Sequence, residues 1–247
     1  MSASASVWME IIFDVSYLAV VWFLVTLMVR GRNRVPTTDW PVAKRIIWAF
    51  ALLALGDSGH VGFRVIAYAL GDLAAKPVIF GTPVSLVGVG ALATAITVTF
   101  FYMLMVDVWR LRFNKPMDWF AWLLLAAGVA RLVVMAFPQN QWDLVVPPYS
   151  WSLARNSLLV VQGLGVMALF FRDASRNHDR SFTWVAIMIA LSYTFYAPVI
   201  LWVNQVPLLG MLMMPKTLAY LGVAIIAYRA FFGSTVQSTL KPTMAKS

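Results

Sequence analysis

The sequence predicts an all-α polytopic membrane protein with seven transmembrane helices, N-terminus out and C-terminus in. Three observations carry that prediction. The chain is 61% hydrophobic and only 12% charged, with a mean hydropathy of +0.78, well beyond what the core of a soluble domain requires. Seven stretches reach the roughly 20 largely apolar residues that a helix needs to cross a bilayer. Lysine and arginine gather at one set of helix ends, as the positive-inside rule demands.

The stretches lie near 7–30, 45–70, 83–110, 118–137, 150–172, 182–203 and 208–232. The first has no basic run before it and no A-x-A-like site after it, so it reads as a retained span rather than a cleaved signal peptide. The second contains LGDSGHVGFR, with Gly56, Gly59 and Gly62 forming a small-residue stripe that permits close helix approach. The third is polar only through Ser85, Thr94 and Thr97 and reads as a wall. The fourth holds a lone Arg131. The fifth carries Ser152, Arg155, Asn156 and Gln162, and the sixth Tyr193, Tyr196 and Pro198. The seventh carries Lys216 in MMPKTLAY, where Pro215 removes a backbone donor and predicts a kink that turns Lys216 inward. Connections reach only about a dozen residues, so residues 1–247 form one seven-helix domain.

Charge gives the orientation. Of 19 Lys and Arg, 14 fall at one set of ends: Arg30, Arg32, Arg34, Lys44 and Arg45; Arg110, Arg112 and Lys115; Arg172, Arg176 and Arg180; Arg229, Lys241 and Lys246. The opposite loops hold only Lys76, and Arg64, Arg131, Arg155 and Lys216 lie inside spans. The net charge of +9 is therefore an orientation signal with some attraction for anionic lipid, not a nucleic-acid patch. Tryptophans fit two interfacial belts: Trp48, Trp109, Trp119, Trp122 and Trp184 inside; Trp8, Trp142, Trp151 and Trp202 outside. The absence of cysteine excludes disulfides, thiolate nucleophiles and Cys-ligated metals. The predicted location is the plasma or bacterial inner membrane, with membrane lipids as partners and a homo-oligomer left open.

Eight costly side chains sit in the outward half of the spans: Glu10, Asp14, Asp57, His60, Arg64, Arg131, Arg155 and Lys216. Each charge at the bilayer centre costs about 2.5–3.5 kcal/mol on insertion scales, which marks it as a functional candidate. Asp57, His60 and Arg64 follow i, i+3, i+7 spacing and share one helix face. Such a stripe can bind an anion, relay a proton or do acid–base work; the plainer alternative is mutual neutralisation of Asp57 and Arg64. With Asn156, Gln162, Tyr193 and Tyr196 these residues form a predicted polar chamber. Three acids face four bases there, an excess of one positive charge that leans towards carboxylate or phosphate recognition. The segment PQNQWDLVVPPYSW after the fourth span either covers the chamber mouth or is an ordinary interfacial loop.

Residues 7–112 and 150–233 align as two three-helix units about a linker helix, 118–137. Trp8 matches Trp151, and Asp57-x-x-His60 matches Tyr193-x-x-Tyr196. In this layout the chain resembles, at fold level, the seven-helix 3+1+3 architecture of sugar- and vitamin-type transporters and microbial opsins. Its Pro138-Gln139 dipeptide ends the fourth span, not the first or fifth where PQ-loop transporters carry theirs.

The favoured expectation is an outward chamber that binds an anionic small molecule or lipid headgroup for transport or sensing, coupled to protons through Asp57 and His60. An intramembrane lipid or isoprenoid enzyme using Asp57 and His60 as an acid–base pair is the alternative. A retinal Schiff base on Lys216 is more remote, because the third span offers no carboxylate before Asp107. No metal and no cofactor are expected, since His60 is the one intramembrane histidine.

Overall fold

The computed structural model describes residues 3–79 and 81–233; Lys241 and Lys246 of the basic set lie outside the described residues. Seven helices follow one another: α1 (Ala3–Arg30), α2 (Trp40–Ala69), α3 (Leu86–Arg112), α4 (Trp119–Ala136), α5 (Tyr149–Arg176), α6 (Arg180–Trp202) and α7 (Met213–Phe231). Every one is long and apolar enough to cross a membrane when the 3₁₀ turn Pro207–Leu212 is counted with α7. The chain is thus a multi-pass integral membrane protein, with helix ends within a few residues of those the hydropathy predicts.

Local chemistry sets several of the starts. Ser85 accepts a hydrogen bond from the Gly88 amide to open α3, Asp118 accepts from Ala121 to open α4, and Asp179 accepts from Phe182 to open α6. Pro41 occupies the first turn of α2, where no donor is missed. Pro215 behaves the same way, which corrects the expected kink. It stands in the first turn of α7, so the helix begins there rather than bending.

Each helix packs on its sequence neighbour, α3 also touches α5, and α7 returns to α1 and α2 to close a ring. The α2–α3 contact is the tightest. A Cβ on Gly90 would lie 2.9 Å from the His60 Cα, and one on Gly56 would run into the Thr97 side chain. Lipid supplies no hydrophobic drive between helices, so such close backbone approach is what holds them. Gly62 faces open space and takes no part.

The core below the chamber is aromatic. Phe50, Phe101, Tyr102 and Tyr220 meet edge to face, with the Tyr102 and Tyr220 hydroxyls 2.5 Å apart. Near the basic end the Trp109 side chain is wholly buried and donates to Asp173 at 2.8 Å. Trp109 is a core residue, contrary to its expected place in the interfacial belt; Trp48, Trp119, Trp122 and Trp184 are exposed as expected. At the opposite end a two-residue hairpin, β1 (Val78–Ile79) with β2 (Thr82–Pro83), lies between α2 and α3. Lys76 reaches Asp143 at 3.0 Å, tying that connection to the one between α4 and α5.

Candidate functional site

All seven helices contribute to one cavity of about 950 Å³ in the half of the bundle away from the basic end. It is lined by seven of the eight costly side chains: Glu10, Asp14, Asp57, His60, Arg64, Arg131 and Lys216. Asn156 and Tyr196 join them.

On the α1–α2 side, charge is handled locally. Arg64 grips Glu10 with both terminal nitrogens, at 2.8 and 3.3 Å, so Arg64 neutralises Glu10 and not Asp57. Asp57 is in no ion pair among the described residues. The Tyr17 hydroxyl donates to its Oδ2 at 3.1 Å, and the Thr94 hydroxyl, which donates to the Gly56 carbonyl at 2.9 Å, lies 3.4 Å from its Oδ1. Asp14 has neither an ion-pair partner nor a hydrogen bond among the described residues. His60 Nδ1 and Arg64 Nε are buried without a partner. Ser58 turns away, donating to the Ala54 carbonyl and accepting from Trp22, as a residue off the Asp57 face should.

On α4 and α7 two cations have no carboxylate within 4.0 Å among the described residues. Arg131 is 2% exposed. Its Nε donates to the Arg155 carbonyl at 3.0 Å, and its Nη1 to the Ala95 carbonyl at 2.7 Å and to the Thr99 hydroxyl. Its Nη2 makes no hydrogen bond among the described residues, and the side chain borders the cavity. Lys216 stands at the end of the first turn of α7, where the helix dipole opposes a cation. Its ammonium rests 4.1 Å from the Tyr196 ring centre and 6.0 Å from that of Tyr220, a cation–π contact. No carboxylate among the described residues comes within 4.0 Å of it. The Tyr196 hydroxyl donates to Asn156 Oδ1 at 3.1 Å.

Three predicted site residues stand off the cavity. Arg155 turns to the α4–α5 connection, where Nη1 donates to Asn140 at 3.0 Å and the guanidinium lies 4.4 Å over Trp142. Tyr193 donates to the Leu159 carbonyl at 2.9 Å and lies against Gly163. Gln162 is buried beside Gly128 with both amide atoms unpartnered. Without Arg155 the lining holds three acids and three bases, so the predicted excess of positive charge disappears. The PQNQWDLVVPPYSW segment does not cover the mouth. Asn140 is fully buried, and the Trp142 carbonyl presses on Gly88 at the start of α3. The cavity is covered instead by Val203, Pro207, Leu208, Gly210 and Met211 of the α6–α7 segment.

Sequence reasoning missed Tyr17, Thr94 and this cover. Tyr17 was within reach, because Glu10, Asp14 and Tyr17 follow i, i+4, i+7 spacing on one face of α1. Among the described residues no three His, Cys, Asp or Glu side chains cluster to hold a metal. Comparison of the chain with protein-family models, with curated proteins and with solved structures finds no match.

Proposed function

We propose that the chamber binds a negatively charged group, a small anion or a lipid headgroup, for transport or sensing. The observation that supports this best is that two cations lining one cavity, Lys216 and Arg131, have no carboxylate within 4.0 Å among the described residues. An uncompensated charge at this depth is costly, and an anion between them would remove the cost. Asp57, held by two hydroxyl-bearing side chains, would take up or release a proton as the anion comes and goes. The basic end would face the cytoplasm by the positive-inside rule, leaving the chamber towards the outside.

The test is native mass spectrometry of the gently purified protein. A bound anionic species should accompany the wild type. Lys216→Met should weaken its retention about tenfold or more, the weight of one charge-assisted hydrogen bond. Lys76→Met, which removes the same charge from an exposed loop, should leave it in place. Equal retention in both variants sinks the reading.

A second reading, an intramembrane lipid or isoprenoid enzyme, is favoured by one observation. Asp57 and His60 both line the cavity from adjacent turns, and His60 Nδ1 is buried without a partner, as an acid–base group awaiting substrate would be. Turnover of a lipid substrate that disappears in Asp57→Asn would support it. Turnover that persists in that variant removes it.

A further inference from the structure

We infer that the occupant is a single-chain amphiphile: one long apolar tail and one negative headgroup, taken from the lipid phase through the rim formed by Met9, Leu208 and Met211. This rests on the anion reading above and names its substrate class.

The lining of the cavity is mixed. The seven ionisable side chains named above, with Asn156 and Tyr196, supply polar atoms. Val199, Ile200, Val203, Leu208, Met211 and Met214 form an apolar wall on the α6–α7 side. At about 950 Å³ the space is near the top of the range of about 300–1,000 Å³ for small-molecule sites. A bare carboxylate or phosphate would leave the apolar part empty, and lining with no atoms opposite it forfeits dispersion contacts.

The rim gives the route. Met9 is 36% exposed, Met211 47% and Leu208 73%, and Trp8, Ile12 and Val206, close to them in sequence, are exposed as well. Facing water, apolar exposure of this kind would favour association; facing lipid it carries no penalty and admits an alkyl chain. The α6–α7 segment is irregular backbone at its centre, 3₁₀ over Pro207–Leu212. Such backbone is tolerated at membrane depth where it is buried in protein or borders a cavity. Flexible methionines suit a tail of variable length better than rigid branched residues would.

The experiment uses the full chain in amphipol, with binding referred to the free aqueous ligand concentration. The probes are acetate, octanoate, dodecanoate, hexadecanoate and the headless control hexadecanol. Affinity for the carboxylates should rise about two- to fourfold per added methylene up to a length limit. Lys216→Met should lower carboxylate affinity about tenfold or more while leaving hexadecanol unchanged. Ile200→Trp, which fills empty space, should abolish the gain from chain length without touching the binding of the shortest acid. If acetate binds wild type as tightly as hexadecanoate, the tail assignment is wrong and the anion reading stands. If hexadecanol binds as well as hexadecanoate and Lys216→Met affects neither, both fail. A chain-length gain that survives Ile200→Trp assigns the tail to the outer lipid-facing surface and overturns the inference.

Discussion

The two ends of this bundle treat charge in opposite ways. At the basic end each of the five described acids has a donor or a cation. Asp39 and Asp179 share Arg112, at 3.5 and 2.8 Å; Asp107 takes Arg45 and Arg110, at 2.8 and 2.7 Å; Asp118 caps α4. Asp173, 1% exposed, accepts from Trp109 and Arg172 at 2.8 Å, with Lys115 at 3.8 Å. In the chamber, among the described residues, only Glu10 and Arg64 form an ion pair. Charge that serves structure is given a counter-ion, because a lone charge in low dielectric is costly. The charge left open in the chamber is the observation on which the anion proposal rests.

That contrast can be broken by mutation, most severely at the basic end. Asp173→Ala should destabilise the protein by about 1–3 kcal/mol, because the buried Trp109 N–H loses its acceptor while Arg172 and Lys115 remain partly exposed. Denaturant unfolding in mild detergent measures it, and a loss below ~1 kcal/mol would mean the network carries little. Gly56→Ala, between the two regions, should lose about 1–3 kcal/mol through overpacking against Thr97, and the same unfolding curve reads it. Lys216→Met should go the other way. The chamber cation has no partner to strand, so stability should hold or rise by ~1 kcal/mol while anion retention falls. A clear loss of stability would make Lys216 structural and erase the contrast. The smallest effect belongs to Lys76→Ala on the exposed Asp143 pair. The hydrogen bond from Lys76 holds the Asp143 carboxyl below the usual carboxylate range. A lowered folded value means any contribution is present at neutral pH and lost as pH falls through the acid range. At neutral pH the unfolding midpoint should not move, since exposed pairs are screened.

The spans and the polar half were legible in the sequence because both are local: hydropathy over about 20 residues and charges at helical spacing. What escaped depends on contacts between distant segments. Arg155 looked like a chamber residue by spacing, yet its partners Asn140 and Trp142 come from a loop whose path no periodicity reports. Trp109 sat at the right depth for an interfacial belt, and only the position of Asp173 on α5 shows why it is buried. The α6–α7 cover read as part of the seventh span, since a 3₁₀ turn and an α-helix of the same composition have the same hydropathy. The charge balance shifted with Arg155 alone, so a total counted from the sequence was a poor guide.

A density map of the protein extracted with its own lipids tests the central claim most directly. The account predicts an anionic headgroup within hydrogen-bond reach of both the Lys216 ammonium and the free Nη2 of Arg131, with its tail running towards Leu208 and Met211. A map in which Lys216 closes onto Asp57 as an ion pair, with only water in the cavity, would contradict it.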